Sequence, residues 1–287
     1  MLKNRVQQNR STEGRVMPSF LEISPDKLSR LIGTPGAPCI IDVRTKEDFG
    51  LDPRLVPGSI RRDHTEVASW AGSVDADSVV VVCQKGSKLS HGVAAYLRHA
   101  GIDAESLEGG FEAWIAGGPA VPWEKLPRRD AEGRTVWVTR ARPKIDRIAC
   151  PWLIRRFVDP SAVFLFVPAP EVIAVGERFG AAPFDIEDVF WSHRGEFCTF
   201  DVMVEEFGLA SEPLLRLARI VRAADTARPD LAPEAPGLLA ASLGLSRMYS
   251  DDLEQLEAGM LLYDAFFRWC RDATEETHNW PAPKKRA

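Results

Sequence analysis

Short apolar runs alternate with amphipathic stretches over residues 20–121. The most apolar run, residues 79–82, consists of valines only, a pattern typical of a strand buried on both faces. Residues 39–43 and 104–107 predict two further strands, and the segments between the strands carry helix signals such as Ser24 as an N-cap. This alternation predicts an α/β domain with a doubly wound parallel sheet.

A different pattern begins after residue 134. Residues 135–139 and 162–167 predict strands, whereas most of the chain beyond residue 211 has helical periodicity. The second domain is therefore predicted to have a mixed α+β, largely helical fold. A segment rich in Pro, Gly and charge separates the two patterns and is interpreted as a linker. The predicted division is a flexible tail at 1–19, the α/β domain at 20–121, the linker at 122–134, the second domain at 135–272 and a second tail at 273–287.

Composition and charge restrict the classes of function. The chain has 287 residues and a formal net charge of −5, which disfavours electrostatic binding of nucleic acid, and it has no helix-turn-helix pattern. No segment approaches the roughly 20 apolar residues that cross a bilayer, so no membrane association is expected. The five cysteines are irregularly spaced without a C-x-x-C pair, and the amino terminus is polar and basic, unlike a secretory signal. These features predict a reducing, cytoplasmic location.

The valine-rich strand ends at Cys83, which is the main candidate for chemistry. A loop containing Gly86 follows, and a helix is predicted from about residue 87 to residue 100. A thiol at such a junction faces backbone N–H groups and the positive end of a helix dipole, and these stabilise a thiolate. Lys85 and Lys88 add positive charge to the same loop. An inert thiol ending a core strand is the alternative, but the composition of the loop favours a reactive cysteine.

Four motifs of the first domain resemble, in order and spacing, the signatures of a rhodanese domain. They are Asp42-Val43-Arg44, Pro57-Gly58-Ser59-Ile60, the segment from Cys83 to Ser90, and Gly109-Gly110-Phe111-Glu112-Ala113-Trp114. The resemblance implies a sulfurtransferase that carries sulfane sulfur as a persulfide on Cys83 and requires no cofactor. It implies a small, thiosulfate-like sulfur donor and a thiol or cyanide acceptor as partners. The implied substrate-binding residues are Gln84, Lys85, Gly86, Ser87, Lys88 and Arg44.

Other interpretations of these residues remain open. Asp42 and Arg44 lie at a predicted strand end, where a structural role is the alternative to a role in catalysis. Lys88 stands where many rhodanese domains have arginine, and lysine offers a point charge rather than a planar fork of donors. A rhodanese fold kept only for sensing or binding is the alternative to an active enzyme.

The second domain resembles the C-terminal domain of the chromate-resistance protein B family (ChrB). The resemblance is carried by residues 137–140, 144–157, 184–186, 198–201 and 221–225, by His193, and by Tyr263-Asp264. It implies a link to chromate or to another oxyanion. A rhodanese-like domain precedes this one, unlike in the regulator form of the family, and this difference argues against direct transcriptional regulation.

Residue chemistry suggests two sites in the second domain. A basic stretch able to hold an oxyanion such as chromate comprises Arg140, Lys144, Arg147 and Arg155. Pairing of this stretch with the acidic segment at 185–206 explains it equally well. A divalent-metal site is suggested by three ligand types within nine residues, His193, Cys198 and Asp201. Separate burial of the histidine and the cysteine is the alternative, because this spacing is not specific.

Two functions therefore remain for the whole chain. The first is a rhodanese-type sulfurtransferase that is linked to chromate or oxyanion resistance through its second domain. The second is a chromate- or metal-responsive sensor whose rhodanese-like domain does not catalyse a reaction. The loop around Cys83 favours the first.

Overall fold

A computed structural model describes residues 21–276. The tail predicted at residues 1–19 lies outside the described residues, as does most of the tail predicted at 273–287. Within the described range, no helix combines the length and the apolar composition needed to cross a bilayer.

The first domain is built on a parallel sheet. Its strands are β1 (Glu22–Ile23), β2 (Cys39–Asp42), β3 (Arg54–Leu55), β4 (Ser59–Arg61), β5 (Ser78–Val82), β6 (Asp103–Leu107) and β7 (Val121–Pro122). Its helices are α1 (Pro25–Leu31), α2 (Lys46–Leu51), α3 (Val67–Trp70), α4 (Lys88–His99) and α5 (Gly110–Ile115). Five strands pair in parallel in the order β1-β6-β5-β2-β4, and β3 forms an antiparallel pair with β7. This architecture confirms the predicted α/β class.

Strand β5 is buried on both faces, as its valines predict. Val79 and Val81 pack with Leu97 of α4, whereas Val80 and Val82 point into the apolar cluster on the opposite face. Because β5 lies in the middle of the sheet, the loop that follows it emerges at the centre of the carboxyl edge. Ligands of open α/β sheets bind at this edge.

The short outer strands were not predicted from the sequence. Strand β1 pairs with β6, and β4 pairs with β2, each through only two or three residues. Segments this short carry too few residues to show a periodic pattern, so their pairing depends on the strands beside them.

The second domain combines a small parallel sheet with packed helices. Its strands are β8 (Val136–Arg140), β9 (Val163–Val167) and β10 (Ala182–Pro183), paired in the order β10-β8-β9. Its helices are α6 (Asp146–Phe157), α7 (Val172–Phe179), α8 (Thr199–Glu206), α9 (Glu212–Asp225), α10 (Ala235–Met248) and α11 (Asp252–Asp272). This mixed and largely helical fold was predicted from the sequence.

Helix α6 begins at Asp146 and contains Pro151 in its interior. The residue before the helix, Ile145, has a φ of +42°, a conformation that β-branched residues rarely adopt. Its carbonyl accepts a hydrogen bond from the Tyr263 hydroxyl at 3.0 Å. This contact between α6 and α11 helps to fix the position of Asp146, which is completely buried.

One hydrophobic cluster extends through both domains. A single apolar cluster contains Ile23 and Leu28 of the first domain together with Phe157 and Phe267 of the second. Gly33 lies where the domains meet: its φ is +80°, and a Cβ atom there would lie 2.3 Å from the Phe157 ring. Only glycine meets both requirements without rearrangement.

The segment predicted as a linker packs against both domains. Its first residue, Pro122, is the second residue of β7, which pairs with β3 of the first domain. Lys125 Nζ lies 2.6 Å from Glu206 Oε2, and Arg129 Nη1 lies 3.5 Å from Asp159 Oδ2, both in the second domain. These contacts hold the connection in place between the two domains.

Candidate functional site

The thiol of Cys83 lies at the amino end of α4. Its sulfur accepts a hydrogen bond from the backbone N–H of Ser87 at 3.3 Å and lies 3.1 Å from the hydroxyl oxygen of Ser90. That hydroxyl also lies 3.0 Å from the Ser87 carbonyl, so it can accept from a thiol or turn to donate to a thiolate. Ser87 is the N-cap of α4, which places the sulfur at the positive end of the helix. The arrangement stabilises negative charge on sulfur.

Two facing glycines fix the shape of this loop. Gly86 has a φ of +63°, and a Cβ atom there would lie 2.5 Å from the Leu107 carbonyl oxygen. Gly110 also has a φ of +63°, and its Cβ would lie 2.3 Å from the Gly86 nitrogen. The backbone N–H of Phe111 donates to the Cys83 carbonyl at 2.9 Å. The loop therefore rests directly on the turn that begins α5.

The predicted loop residues surround the cysteine. Lys85, Ser87 and Lys88 are exposed, and half-buried Gln84 donates through Nε2 to Glu112 Oε1 at 3.2 Å. The two lysines bring positive charge to the solvent side of the loop, where an anionic substrate would approach.

Arg44 belongs to the framework rather than to the loop. Its side chain is fully buried; Nε donates to Asp42 Oδ2 at 2.8 Å, and Nη1 donates to the Asp52 carbonyl at 3.0 Å. The guanidinium also lies 3.7 Å from the ring centroid of Phe111. Arg44 therefore fixes the end of β2, and its place among the substrate-binding residues stays a prediction from the sequence.

A second cluster of charged groups forms around His193. Its Nε2 atom lies 3.5 Å from Asp146 Oδ2, 3.4 Å from Asp185 Oδ1 and 3.4 Å from Asp225 Oδ2. Asp146 begins α6 and Asp225 ends α9, whereas Asp185 and His193 lie between β10 and α8. Sequence reasoning did not select Asp146 or Asp185, because no local spacing connects residues this far apart in the chain.

The members of this cluster shift one another's pKa values. Interaction with Asp185 and Asp225 raises the pKa of His193 to about 10. Burial, reinforced by the charges of Asp225 and Asp185, raises the pKa of Asp146 well above its usual value. Burial opposes ionisation of Asp185 as well, yet the nearby His193 and the hydrogen bond from the Thr199 hydroxyl lower its pKa. The cluster therefore favours an imidazolium beside an ionised Asp185, whereas burial disfavours ionisation of Asp146.

Two of the four predicted oxyanion-binding residues meet at this cluster. Arg140 Nη2 lies 3.2 Å and Arg147 Nε lies 3.3 Å from Asp185 Oδ2. Arg155 pairs instead with a glutamate of α11, and exposed Lys144 lines a narrow cleft with residues of α10 and α11. The basic stretch therefore does not converge on one site.

Cys198 and Asp201 cap α8 instead of joining His193. The Cys198 sulfur accepts from the N–H of Asp201, and Asp201 Oδ2 accepts from the N–H of Cys198 at 3.0 Å. Burial raises the pKa of the Cys198 thiol, and Asp201 Oδ1 lies 3.5 Å from Arg222. Of the three predicted metal ligands, only His193 lies among groups that are arranged like ligands, and its neighbours there are Asp146 and Asp185.

Comparison with known proteins matches both domains. The family described as Rhodanese-like domain matches residues 24–117, and the family described as ChrB, C-terminal domain, matches residues 137–270. Protein ChrB of Cupriavidus metallidurans is 36% identical over 142 residues, which cover 48% of this chain and 42% of that protein. The chain thus spans less than half the length of this relative.

Relatives of the first domain are matched over nearly their whole length. The thiosulfate sulfurtransferase GlpE of Pseudomonas aeruginosa is 31% identical over 103 residues, which cover 36% of this chain and 90% of that protein. A solved rhodanese-like domain protein from Staphylococcus aureus is 29% identical, with a TM-score of 0.30 and coverage of 32% of this chain and 89% of that chain. The chain therefore belongs to the rhodanese-like family through residues 24–117, and it carries a ChrB C-terminal domain at residues 137–270.

Proposed function

We propose that this protein is a sulfurtransferase that carries sulfane sulfur as a persulfide on Cys83. The observation that carries the proposal is the position of the sulfur, which lies at the amino end of α4 within 3.3 Å of the Ser87 N–H. A terminal persulfide sulfur is anionic, and it requires donors that converge on one point. The similarity to thiosulfate sulfurtransferases supports the same chemistry.

The proposed reaction has two displacement steps. The Cys83 thiolate attacks the sulfane sulfur of thiosulfate and forms a sulfur–sulfur bond, while sulfite leaves with the electron pair of the bond that breaks. Cyanide or an acceptor thiolate then attacks the terminal sulfur of the persulfide. The product leaves as thiocyanate or as a new persulfide, and the Cys83 thiolate is regenerated. The reaction needs no external oxidant or reductant.

The loop side chains have separate roles in this proposal. Exposed Lys85 and Lys88 attract the anionic donor. The Ser90 hydroxyl lies 3.1 Å from the sulfur and can donate a hydrogen bond to it when the sulfur is negatively charged. Gly86 allows the loop to pack against the turn at Gly109 and Gly110. The reaction needs Cys83 as a free thiol, so we place the protein in a reducing compartment such as the cytoplasm.

Thiocyanate formation from thiosulfate and cyanide tests the proposal. We expect the purified protein to catalyse it and Cys83→Ser to be inactive, since serine cannot carry the sulfur. Cys39→Ser is the matched control, because Cys39 is a second free thiol of the same sheet and lies in β2, away from the loop. Equal activity of Cys83→Ser and the unmodified protein would rule out Cys83 as the carrier. Inactivity of a folded, unmodified protein would favour the sensor function.

We also propose that the ChrB domain links this chemistry to oxyanion resistance. Arg140 and Arg147 supply the positive charge, since their guanidinium groups lie 3.2 and 3.3 Å from the same carboxylate oxygen of Asp185. An oxyanion such as chromate competes with that carboxylate for the two guanidinium groups. In the alternative function this binding is the signal, and the rhodanese-like domain is not catalytic.

Calorimetric titration with chromate tests this link. We expect Arg147→Gln to weaken binding by at least about tenfold, through loss of a charge-assisted contact. Arg155→Gln is the control, because Arg155 pairs with a glutamate of α11. An equal loss of chromate affinity in both variants would indicate nonspecific electrostatic attraction of chromate to the protein. A response to chromate that persists in Cys83→Ser would separate the second domain from sulfur transfer.

A further inference from the structure

The groups around His193 outnumber the hydrogen bonds available to them. Three carboxylate oxygens lie 3.4 to 3.5 Å from one ring nitrogen, which carries at most one proton. These distances exceed the roughly 2.7–3.2 Å usual for N–H···O hydrogen bonds. They match the separation of about 3.4 Å between ligand atoms that each lie about 2.1 Å from a tetrahedral cation.

Asp146 provides a second, independent observation. It is completely buried, and its Oδ2 atom accepts from the Thr199 N–H at 2.7 Å. Its Oδ1 atom has no hydrogen-bond partner among the described residues. A buried carboxylate oxygen without a partner raises the free energy of the folded state, because it has lost its hydrogen bonds to water and forms none within the protein. The other oxygen of this carboxylate, Oδ2, lies 3.5 Å from His193 Nε2, so the buried carboxylate faces the histidine and its charge would be offset by a cation bound there.

We propose that Asp146, Asp185 and His193 bind a divalent transition-metal cation through two carboxylate oxygens and one imidazole nitrogen. One ligand atom from each residue lies within 4.8 Å of the other two. The His193 side chain is 41% exposed, which gives the cation a route from solvent and leaves coordination positions free for water or a substrate. Asp225 Oδ2 lies 3.4 Å from the same histidine nitrogen and adds a further carboxylate to the cluster.

The charge of the cluster is consistent with this assignment. A divalent cation would be attracted to the carboxylates of Asp146, Asp185 and Asp225, which converge on His193 Nε2. Arg140 and Arg147 contact the opposite oxygen of Asp185, Oδ2, and orient that carboxylate from behind.

The ligand types indicate the class of metal. Two carboxylates with one imidazole suit Mn²⁺, Fe²⁺, Co²⁺ or Zn²⁺ rather than soft, thiol-seeking ions. Cys198 is fully buried in the cap of α8, where its sulfur accepts from the Asp201 N–H, and it is not one of the three proposed ligands. The site therefore differs in ligand chemistry from the His193, Cys198 and Asp201 set predicted from the sequence.

Titration of chelator-treated full-length protein with Co²⁺ tests the site, because cobalt reports its ligands through visible absorption. We expect one equivalent to bind with a d–d spectrum and without the sulfur-to-cobalt charge-transfer band that a thiolate ligand would produce. Asp146→Asn keeps the size of the side chain and removes its charge, and it is expected to weaken binding by at least about tenfold. His193→Ala removes a half-exposed side chain and serves if Asp146→Asn fails to fold.

His91→Ala is the matched control, since His91 is exposed and pairs with Glu22 in the first domain. Unchanged binding in His91→Ala together with loss in His193→Ala supports the site. Equal affinity in all variants, a charge-transfer band, or no binding by the unmodified protein would overturn it. Circular dichroism of each variant checks that the fold is intact.

Discussion

At the scale of single residues, Cys83 and Cys198 show how neighbours decide what a buried cysteine does. Each sulfur lies at the start of a helix and accepts a backbone N–H, from Ser87 in one case and from Asp201 in the other. The loop of Cys83 carries two lysines, whereas burial and the charges of nearby aspartates raise the pKa of Cys198. The same local geometry therefore occurs beside two exposed lysines at Cys83 and with a raised thiol pKa at Cys198.

The framework role of Arg44 leads to a prediction at the same scale. Arg44→Lys should lower the free energy of unfolding by about 2–3 kcal/mol, because lysine cannot replace the fork of donors or the stacking on Phe111. The KM for thiosulfate should not change in the folded protein. Urea denaturation and steady-state kinetics measure both effects. Arg54→Lys, at an exposed pair with Asp52, is the control and should cost less than about 1 kcal/mol. A raised KM in Arg44→Lys alone would place Arg44 in the substrate site.

At the scale of elements, the shape of the loop between β5 and α4 depends on a second segment, the turn between β6 and α5. The turn at Gly109 and Gly110 lies against the Gly86 backbone and accommodates the loop because neither Gly86 nor Gly110 has a side chain. The sequence shows glycines at these positions, but it does not show that they contact each other. The reactive loop therefore depends on two connections of the sheet.

A pair of glycine substitutions tests this dependence. Gly86→Ala should destabilise the protein by about 1–3 kcal/mol and reduce sulfur transfer, because the new methyl group meets backbone atoms at 2.5 Å and the φ is +63°. Gly92→Ala, in the exposed middle of α4 with no atom within 4 Å of its Cβ, should instead stabilise the protein by about 0.5–1 kcal/mol. Thermal denaturation shows whether each substitution raises or lowers the stability of the protein. Equal effects of the two changes would mean that the contact between loop and turn is unimportant.

At the scale of the whole molecule, the two domains are joined by shared packing as well as by the chain. The apolar cluster that lies against one face of the rhodanese-like sheet continues to Phe157 and Phe267 of the ChrB domain. The backbone N–H of Gly58 donates to the Phe157 carbonyl at 2.6 Å. Separation of the domains would expose this surface to water, at a cost proportional to its apolar area.

The shared core predicts that the domains unfold together. Cys83 and Cys198 report on one domain each, so thiol labelling followed by mass spectrometry should give coincident denaturation midpoints. Gly33→Ala should lower both midpoints, since its Cβ would lie 2.3 Å from the Phe157 ring. Gly36→Ala, which meets no atom within 4 Å, is the control. Two separate midpoints in the unmodified protein would show that the domains are energetically independent.

The sequence alone determined the features that depend on neighbouring residues. The valines of β5, the loop from Cys83 to Ser90 and the helical periodicity near the C-terminus are local patterns, so they predicted the sheet, the candidate cysteine and the fold class. The order of the motifs gave the family resemblance of both domains. These predictions rest on spacings of a few residues, over which chain geometry leaves little freedom.

Only the tertiary structure decided which distant charges meet. Arg44 was assigned to the substrate site from its place in a motif, yet packing buries it against Asp42 and Phe111. His193 was grouped with its sequence neighbours, although its partners arrive from α6, from the loop before α8 and from the end of α9. Helix packing sets these contacts, and packing depends on side chains throughout the core. A local pattern therefore located the candidate thiol, whereas the cluster around His193 exists only in the folded chain.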